Sequence, residues 1–253
     1  MRYFMFLSYD GTAYHGWQVQ PNADSVQQRI NRALTLLIGA PTACVGAGRT
    51  DTGVHAAMMA AHFDTDRQVD GPQLAHKLCR ILPQDIAVNS VRPVTDDAHA
   101  RFSALSRTYH YRVYMRKDPF QRYYATRLPY VLDFERMNEA ARLLLAQDDF
   151  ASFSKTRTDV KTFICHVTRA QWVQTGENSW RFEITADRFL RNMVRAVVGT
   201  LIDVGRGRLT VDGFRDVMSR KDRCAAGESV PARALSLVDI QYPAHIFLDT
   251  PGA

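Results

Sequence analysis

The pattern of apolar and polar positions predicts a chain of mixed strands and helices. Between Ser25 and Gly39 apolar residues recur at helical spacing, and Gln28 stands where it completes a capping box. Similar signals predict further helices over 72–81, from Asp133 onward, over 188–204 and over 211–218. Apolar and alternating runs predict strands over 2–9, 56–63, 85–91, 107–115, 163–174, 179–186 and 235–242. Since these elements lack the regular alternation of a parallel sheet, the predicted class is α+β, with helices on one side of the sheets.

One stretch, from Val45 to Ala56, contains several residues that could take part in catalysis or binding. Three glycines, an arginine and an aspartate lie there between two apolar segments. Glycine allows backbone conformations and close approaches that other residues do not. Arg49 and Asp51 are two residues apart, so their side chains point the same way in an extended segment. Spacing alone leaves two interpretations open: an ordinary turn with an ion pair, or a loop that presents a carboxylate.

The composition fits a protein with a real core and a mildly basic surface. The chain has 253 residues, of which 46% are hydrophobic, and a net charge of +6. Only five of its 32 basic residues are lysines, and arginine is the better partner for phosphates and stacked bases. A polyanionic partner is consistent with this charge. Three features predict a cytoplasmic protein without a membrane span. The four cysteines are isolated, no apolar run approaches about 20 residues, and the amino terminus is unlike a signal peptide.

Two further elements carry side chains suited to binding. In the strand over 107–115, alternation places Tyr109 on a core face together with Tyr111, and the opposite face is polar. The helix over 188–204 is predicted to group three arginines on one side: Arg188, Arg191 and Arg195. The polar stretch from 151 to 162, which contains Arg157, is predicted to be an exposed loop.

Other catalytic constellations are missing from the sequence. The eight histidines form no H-x-x-x-H pair and no H-x-E…P-C-x-x-C arrangement, so a zinc deaminase lacks its ligands. There is no G-x-S-x-G elbow, dinucleotide fingerprint or P-loop. One carboxylate, Asp51, remains in a glycine-framed loop. A single carboxylate can act as a nucleophile or a base, and a nucleobase leaves readily enough for one to suffice.

The residues from Gly48 to Ala56, G-R-T-D-T-G-V-H-A, match the G-R-T-D-x-G-V-H-A signature of the TruA family of tRNA pseudouridine synthases. The chain resembles that family along essentially its whole length. Further family landmarks occur in family order: Tyr9-Asp10-Gly11-Thr12, Gly16-Trp17-Gln18, Leu82-Pro83, His99 to Ala104, Arg107 to Tyr111 and Phe189 to Arg195.

This resemblance implies the pseudouridine synthase fold: two RRM-like α/β-sandwich domains with mostly antiparallel sheets and a catalytic cleft between them. We place the domains at residues 1–104, with the catalytic loop, and 105–253. The resemblance further implies an isomerase that converts uridine to pseudouridine at positions 38, 39 and 40 of the tRNA anticodon stem-loop. It implies no metal and no organic cofactor, and a homodimer in which one tRNA contacts both subunits.

The resemblance also assigns roles to residues. Asp51 is the catalytic carboxylate, which attacks the ribose or the uracil ring or abstracts a ribose proton. Arg49 would pair with it and favour its ionised form, and would also occupy the space left by a flipped base. Tyr109 would pack under the uracil, and Arg195 would join the charge network of the active site.

Several assignments stay open at this level. Arg188 and Arg191 are either phosphate contacts or a solvated face. Three positions depart from the family pattern and affect local pocket and RNA contacts: Ala98, Cys165 and Ala234. Two other functions remain possible, namely the same chemistry at other RNA sites and a non-catalytic tRNA-binding or tRNA-folding protein.

Overall fold

The computed structural model describes residues 1–156 and 161–248, and these form two compact units. The first unit comprises Met1–Leu105 together with the segment from Leu237 onward, and the second comprises Ser106–Ser236. The boundary we placed between residues 104 and 105 lies one residue from the observed division. The last strand, which we assigned to the second domain, belongs from Leu237 onward to the first unit, where it lies beside a strand of that unit's sheet.

The predicted strands and helices occur in the predicted order. The strands are β1 (Arg2–Tyr9), β2 (Cys44–Gly46), β3 (His55–Asp64), β4 (Ile86–Val94), β5 (Ser106–Tyr114), β6 (Thr126–Arg127), β7 (Val167–Gly176), β8 (Ser179–Ala186) and β9 (Leu235–Gln241). Of these, β2 and β6 were not predicted, and β7 begins at residue 167 instead of 163. The helices are α1 (Val26–Ile38), α2 (Gly71–Ile81), α3 (Phe134–Leu143), α4 (Met193–Gly205) and α5 (Val211–Ser219). None of the helices in the described ranges is long and apolar enough to cross a lipid bilayer.

Each unit places helices beside a sheet of mainly antiparallel strands, and the α+β prediction is confirmed. In the first unit the strand order is β4–β1–β3, followed by β9, and β2 also pairs with β3. In the second unit the order is β5–β8–β7, with the short β6 parallel to β5. In this second unit the Asn138 side chain of α3 bonds to the backbone N–H and C=O of Trp172 in β7, which fixes that helix on the sheet.

The apolar faces of these elements form a separate core in each unit. Large side chains with almost no exposure lie in the first unit at Phe4, Met5, Leu7, Ile30, Leu34 and Phe63, and in the second at Tyr111, Phe150, Phe153, Phe182 and Phe214. Burying such a side chain contributes roughly 1.5–3 kcal/mol relative to leaving it in water. The predicted core position of Tyr111 is confirmed, and Val113 on the same face of the strand is buried as well.

Helix ends follow the local sequence where capping residues are present. The Ser25 side chain accepts a hydrogen bond from the Gln28 N–H, and Gly39 ends α1 in the left-handed conformation with φ of 75°. Asp133 caps α3 in the same way through the Arg136 N–H. Both caps satisfy N–H groups that a helix leaves without a partner.

The prediction of a helix over 188–204 is wrong at its start, since α4 begins at Met193. Asn192 has φ of 67°, in the left-handed region, and a right-handed helix cannot continue through such a residue. Arg188 and Arg191 therefore lie before the helix, and only Arg195 is part of it. The predicted grouping of three arginines on one helix face is thus wrong.

The prediction of an exposed loop over 151–162 is also wrong in its first residues. Ala151–Phe153 form a 3-10 turn, and Ser152 and Phe153 are buried. The Ser152 hydroxyl donates to the Val217 carbonyl at 2.6 Å, so this turn is anchored on α5. Residues 157–160, with Arg157, lie outside the described part of the chain.

We predict that Ser25→Ala lowers the free energy of unfolding by about 1 kcal/mol, because it removes the side-chain cap of α1. Urea denaturation of both proteins measures the difference. Ser219→Ala, at an exposed position at the end of α5, is the matched control and is expected to change stability by less than about 0.5 kcal/mol. Equal stability of Ser25→Ala and the wild type would contradict a stabilising cap.

Candidate active site

The loop that carries Asp51 is a compact turn between β2 and β3. The Ala47 N–H donates to the Ala60 carbonyl at 2.8 Å, which closes the loop at its base. The Val54 N–H donates to the Asp51 carbonyl at 3.1 Å, and Gly53 has φ of 76°, a conformation that favours glycine. Asp51 itself is half-buried. The predicted turn is thus present, and it holds its carboxylate in a defined backbone position.

A second segment, residues 9–17, supports this loop through its backbone. The Trp17 N–H donates to the Thr50 carbonyl at 3.3 Å, and the Gly53 N–H donates to the Tyr14 carbonyl at 3.4 Å. Gly16 has φ of 88°, and a Cβ atom at this position would lie only 2.3 Å from the Thr50 carbonyl oxygen. Only glycine fits this conformation without strain. The residues on both sides of Asp51 are therefore held by the same segment.

Side chains of the same segment add a buried polar contact beside Asp51. The Tyr9 and Thr50 hydroxyl oxygens lie 2.8 Å apart, and both residues are buried. In the low-dielectric interior such a bond is strong, and breaking it leaves a buried hydroxyl unsatisfied. Trp17 packs directly against the backbone of Gly46, where a Cβ atom would lie 2.4 Å from the indole nitrogen.

The carboxyl-terminal end of the loop is anchored by His55, the first residue of β3. Its Nδ1 atom accepts the Gly11 N–H at 3.0 Å and also lies 3.0 Å from an oxygen of Asp10. The imidazole is buried, so it links the end of β1 to the start of β3 without access to solvent.

Tyr14 extends this support towards β4. Its hydroxyl donates to the Asp85 carboxylate at 2.6 Å. Burial and this hydrogen bond both raise the pKa of Tyr14, so the side chain stays a neutral donor at physiological pH. The segment that holds Thr50 is thereby itself held in place.

The ion pair expected between Arg49 and Asp51 is not formed. In the described structure no hydrogen bond or ion pair joins these two side chains, although they share one loop. The Arg49 side chain is exposed, whereas Asp51 is half-buried. Thr50, between them, is buried against Tyr9, and the turn of this loop lies after Asp51, at Thr52 and Gly53.

Tyr109 lies in β5 of the second unit, opposite Ile184 of β8. Its ring is half-buried and meets Phe189 edge-on, with ring centroids 5.1 Å apart and an interplanar angle of 85°. Edge-to-face packing of this kind fixes the orientation of both rings. Tyr109 therefore differs from its strand neighbour Tyr111, which is fully buried and bonds to Thr126 at 2.7 Å.

Arg195 lies in the first turn of α4 and is half-buried. Its Nε–H donates to the Val230 carbonyl at 2.7 Å, and the Val230 N–H donates back to the Arg195 carbonyl at 3.2 Å. These two bonds fix the base of the side chain against the segment before β9.

Arg188 and Arg191 belong to the connection between β8 and α4. Arg188 is half-buried, and its N–H donates to the Asp187 carboxylate at 2.7 Å. Arg191 is exposed, and its carbonyl accepts the Lys155 N–H at 3.0 Å. Their backbones are thus anchored, while the two side chains extend from a connection and not from a helix face.

The three departures from the family pattern are all buried. Ala98 and Ala234 are 2% and 1% exposed, and Cys165 is fully buried. Burial raises the pKa of the Cys165 thiol to about 12, so it is an uncharged core residue where the family often has an arginine. Any effect of these positions on RNA contacts must therefore act through packing.

Sequence reasoning found Asp51 but missed the residues that hold it. The family motifs include four of these supporting residues, Tyr9, Gly16, Trp17 and His55. Local patterns could not show that residues 9–17 contact a loop about 40 residues later in the chain. Within the described ranges no group of three or more His, Cys, Asp or Glu side chains is arranged to hold a metal ion.

The fold and this loop define a class: an α+β protein of two units that presents a carboxylate on a glycine-framed turn. A family model described as tRNA pseudouridine synthase matches residues 5–103 and 140–243. The chain is 57% identical over 247 residues to the tRNA pseudouridine synthase A of Parabacteroides distasonis, which covers 97% of this chain and 98% of that protein.

Two other relatives of the same name are similar over nearly their whole length. The protein of Bacteroides thetaiotaomicron is 56% identical over 248 residues, covering 97% of this chain and 92% of its own. That of Bacillus subtilis is 38% identical over 246 residues, covering 96% and 99%. The chain belongs to the tRNA pseudouridine synthase family, in its TruA branch.

We predict that Gly16→Ala destabilises the protein by roughly 1–3 kcal/mol, because alanine is strained at a positive φ and would clash with the Thr50 carbonyl. Thermal and urea unfolding measure the loss. Gly48→Ala is the matched control in the Asp51 loop, since a Cβ atom there meets nothing within 4 Å. If both variants have the same stability, the close contact at Gly16 does not constrain the loop.

Proposed function

We propose that this protein isomerises uridine to pseudouridine at positions 38, 39 and 40 of the tRNA anticodon stem-loop, with Asp51 as the catalytic carboxylate. One observation carries the proposal: Asp51 sits at the centre of the family signature, in a loop whose two flanks are fixed by residues 9–17. A catalytic group must be held within a fraction of an ångström of its working position, and such anchoring provides this.

The proposed reaction is balanced within the nucleotide and needs no oxidant or reductant. The bond between uracil N1 and ribose C1′ breaks, the ring turns, and a bond forms between C5 and C1′. The proton on C5 is lost, and N1 of the product gains one. Asp51 can attack the ribose or the ring as a nucleophile, or remove a ribose proton as a base; each of these roles is open to one ionised carboxylate.

Arg49 is proposed to replace the flipped uridine in the RNA stem. Its guanidinium is exposed and not bonded to Asp51, which suits a group that inserts into RNA better than one that steadies the carboxylate. Extruding a base costs a few kcal/mol, and a planar cation that stacks in the vacated position offsets part of this cost.

Tyr109 and Arg195 are proposed to bind the reacting nucleotide. The Tyr109 ring is held edge-on by Phe189, so a preformed aromatic surface is available for a uracil ring. The Nε–H of Arg195 is fixed on the Val230 carbonyl, and the resemblance to the family supports its place in the charge network of the active site. Arg188 and Arg191 are proposed as phosphate contacts, because their side chains extend from an anchored connection.

The proposed partners follow from the same assignment. The substrate is tRNA, the protein acts as a homodimer, and one tRNA contacts both subunits. Action in the cytoplasm is consistent with the four free cysteines. No metal or organic cofactor takes part in the proposed reaction.

We predict that Asp51→Asn abolishes isomerisation of an unmodified tRNA transcript while tRNA binding changes less than about threefold, since the amide keeps the shape but loses the charge. Release of tritium from uridine labelled at C5 measures turnover. Asp66→Asn, an exposed carboxylate outside the loop, is the matched control and is expected to retain full turnover. Turnover of Asp51→Asn near the wild-type value would remove Asp51 from the mechanism.

The substrate sites are tested by mapping pseudouridine in tRNA from a strain that lacks the gene. Loss of modification at positions 38 to 40 is expected. Loss only at other positions would replace the proposed substrate while leaving the chemistry of Asp51 intact.

We also predict that Tyr9→Phe lowers kcat about tenfold with little change in KM, because removing the hydroxyl loosens Thr50 next to Asp51. Steady-state kinetics on the same transcript measure this split. Tyr3→Phe is the matched control, since it removes another buried hydroxyl of β1 that accepts the Val69 N–H at 3.0 Å. Equal kcat values for the two variants would show that the Tyr9 hydroxyl does not position Asp51.

A further inference from the structure

A basic aromatic segment, residues 116–131, forms the connection from β5 to α3. All four of its aromatic rings are exposed: Phe120 by 92%, Tyr123 by 48%, Tyr124 by 44% and Tyr130 by 38%. It also holds four exposed cations and a single carboxylate: Arg116, Lys117, Arg122 and Arg127 against Asp118. Several exposed aromatic rings along one short connection form the kind of apolar patch that can mark an interaction site.

The single carboxylate of the segment, Asp118, accepts hydrogen bonds from within the segment. Asp118 accepts the Phe120 N–H and the Gln121 side-chain N–H, each at 2.9 Å, and so closes the 3-10 turn Pro119–Gln121. Among the described residues no carboxylate lies within ion-pair distance of Arg116, Lys117, Arg122 or Arg127. The positive charge is therefore not neutralised locally, and it is available to an anionic partner.

The segment is anchored at several points. Thr126 pairs with Val113 of β5, and its hydroxyl bonds to the buried Tyr111 at 2.7 Å. The Leu128 N–H donates to the Tyr114 carbonyl at 2.9 Å. These bonds fix the backbone on the sheet while the aromatic and basic side chains point to solvent. A ligand therefore meets a preformed surface, which lowers the entropy lost on binding.

Two arginines already stack on tyrosines of this segment. The Arg122 guanidinium carbon lies 4.5 Å from the Tyr123 ring centroid, and that of Arg206 lies 4.1 Å from the Tyr130 centroid. Such pairs present a flat cation beside an aromatic face, which matches the phosphate and base of a nucleotide. The chemistry of the segment thus fits single-stranded or looped RNA, which offers both groups at once.

We propose that the basic aromatic segment is a second RNA-binding surface, on which Phe120 stacks a base and Arg122 contacts a phosphate. The inference rests on the proposed function for the choice of tRNA as ligand. A second copy of the chain fits less well if this patch lies on the two-fold axis, since the patch would then meet itself with four cations and one carboxylate on each side. RNA supplies the opposite charge.

The test measures binding of an unmodified tRNA transcript to the full-length protein by fluorescence anisotropy between 50 and 200 mM salt. Phe120→Ala is expected to weaken binding about tenfold without changing the salt slope, because a stacked base carries no charge. Arg122→Ala is expected to weaken binding and to reduce the slope of log K against log salt by about one, as for one lost phosphate contact. Phe120→Trp is expected to restore the affinity.

The matched controls come from an exposed site on the same unit. Arg142→Ala and Leu145→Ala remove a surface arginine and a surface apolar side chain near the end of α3, and both are expected to bind tRNA within twofold of the wild type. Wild-type affinity of Phe120→Ala and Arg122→Ala would overturn the proposal. A change of oligomeric state in these variants, measured by sedimentation velocity with affinity lost in parallel, would overturn it too and assign the segment to contact between subunits.

Failure of this inference is distinguishable from failure of the proposed function. If the wild-type protein binds the transcript but forms no pseudouridine, the proposed function fails, and the binding data still decide on the segment. If the wild-type protein is active and all variants bind equally well, only the second surface is wrong.

Discussion

The contact between Gly16 and the Thr50 carbonyl is the constraint on which the candidate site depends. No other residue fits a positive φ with a carbonyl oxygen 2.3 Å from the Cβ position. Residues 9–17 fix the position of Thr50 through this contact, through the Trp17 N–H and through the Tyr9 hydroxyl. Thr50 in turn fixes the backbone position of Asp51, the next residue. The backbone on both sides of Asp51 is therefore positioned by packing and hydrogen bonds. It does not rely on an ion pair within its own loop.

The groups that support the Asp51 loop differ from the residue that the sequence had predicted for this role. We expected Arg49 to steady Asp51; the contacts of the residues beside Asp51 are made by uncharged groups: two hydroxyls, two backbone N–H groups and a glycine. A buried neutral network holds a loop without the desolvation cost of a buried ion pair. It also leaves the exposed guanidinium of Arg49 available for RNA. Under the proposed function, an anchored loop that also carries an exposed cation suits an enzyme that extrudes a nucleotide from a stem.

In the second unit, hydrogen bonds and ring packing fix several side chains that we propose bind RNA. Phe189 orients the Tyr109 ring, and the segment around Val230 fixes the base of Arg195. The basic aromatic segment is similarly held by Asp118 and Thr126 while its rings face solvent. In each of these places a backbone anchored by hydrogen bonds carries an exposed or half-buried side chain of arginine or an aromatic residue, the residue types that bind phosphates and bases.

The sequence by itself determined the elements with strong local signals, and the family. The caps at Ser25, Gly39 and Asp133, the strands and the signature around Asp51 depend on nearby residues, so local patterns were sufficient. Local patterns failed at Asn192, where a left-handed residue delays α4, and at Phe153, which tertiary packing buries within a polar stretch. They were also unable to show that residues 9–17 support the Asp51 loop. That contact joins positions about 40 residues apart, and only the folded chain decides which distant segment fills the space beside a loop.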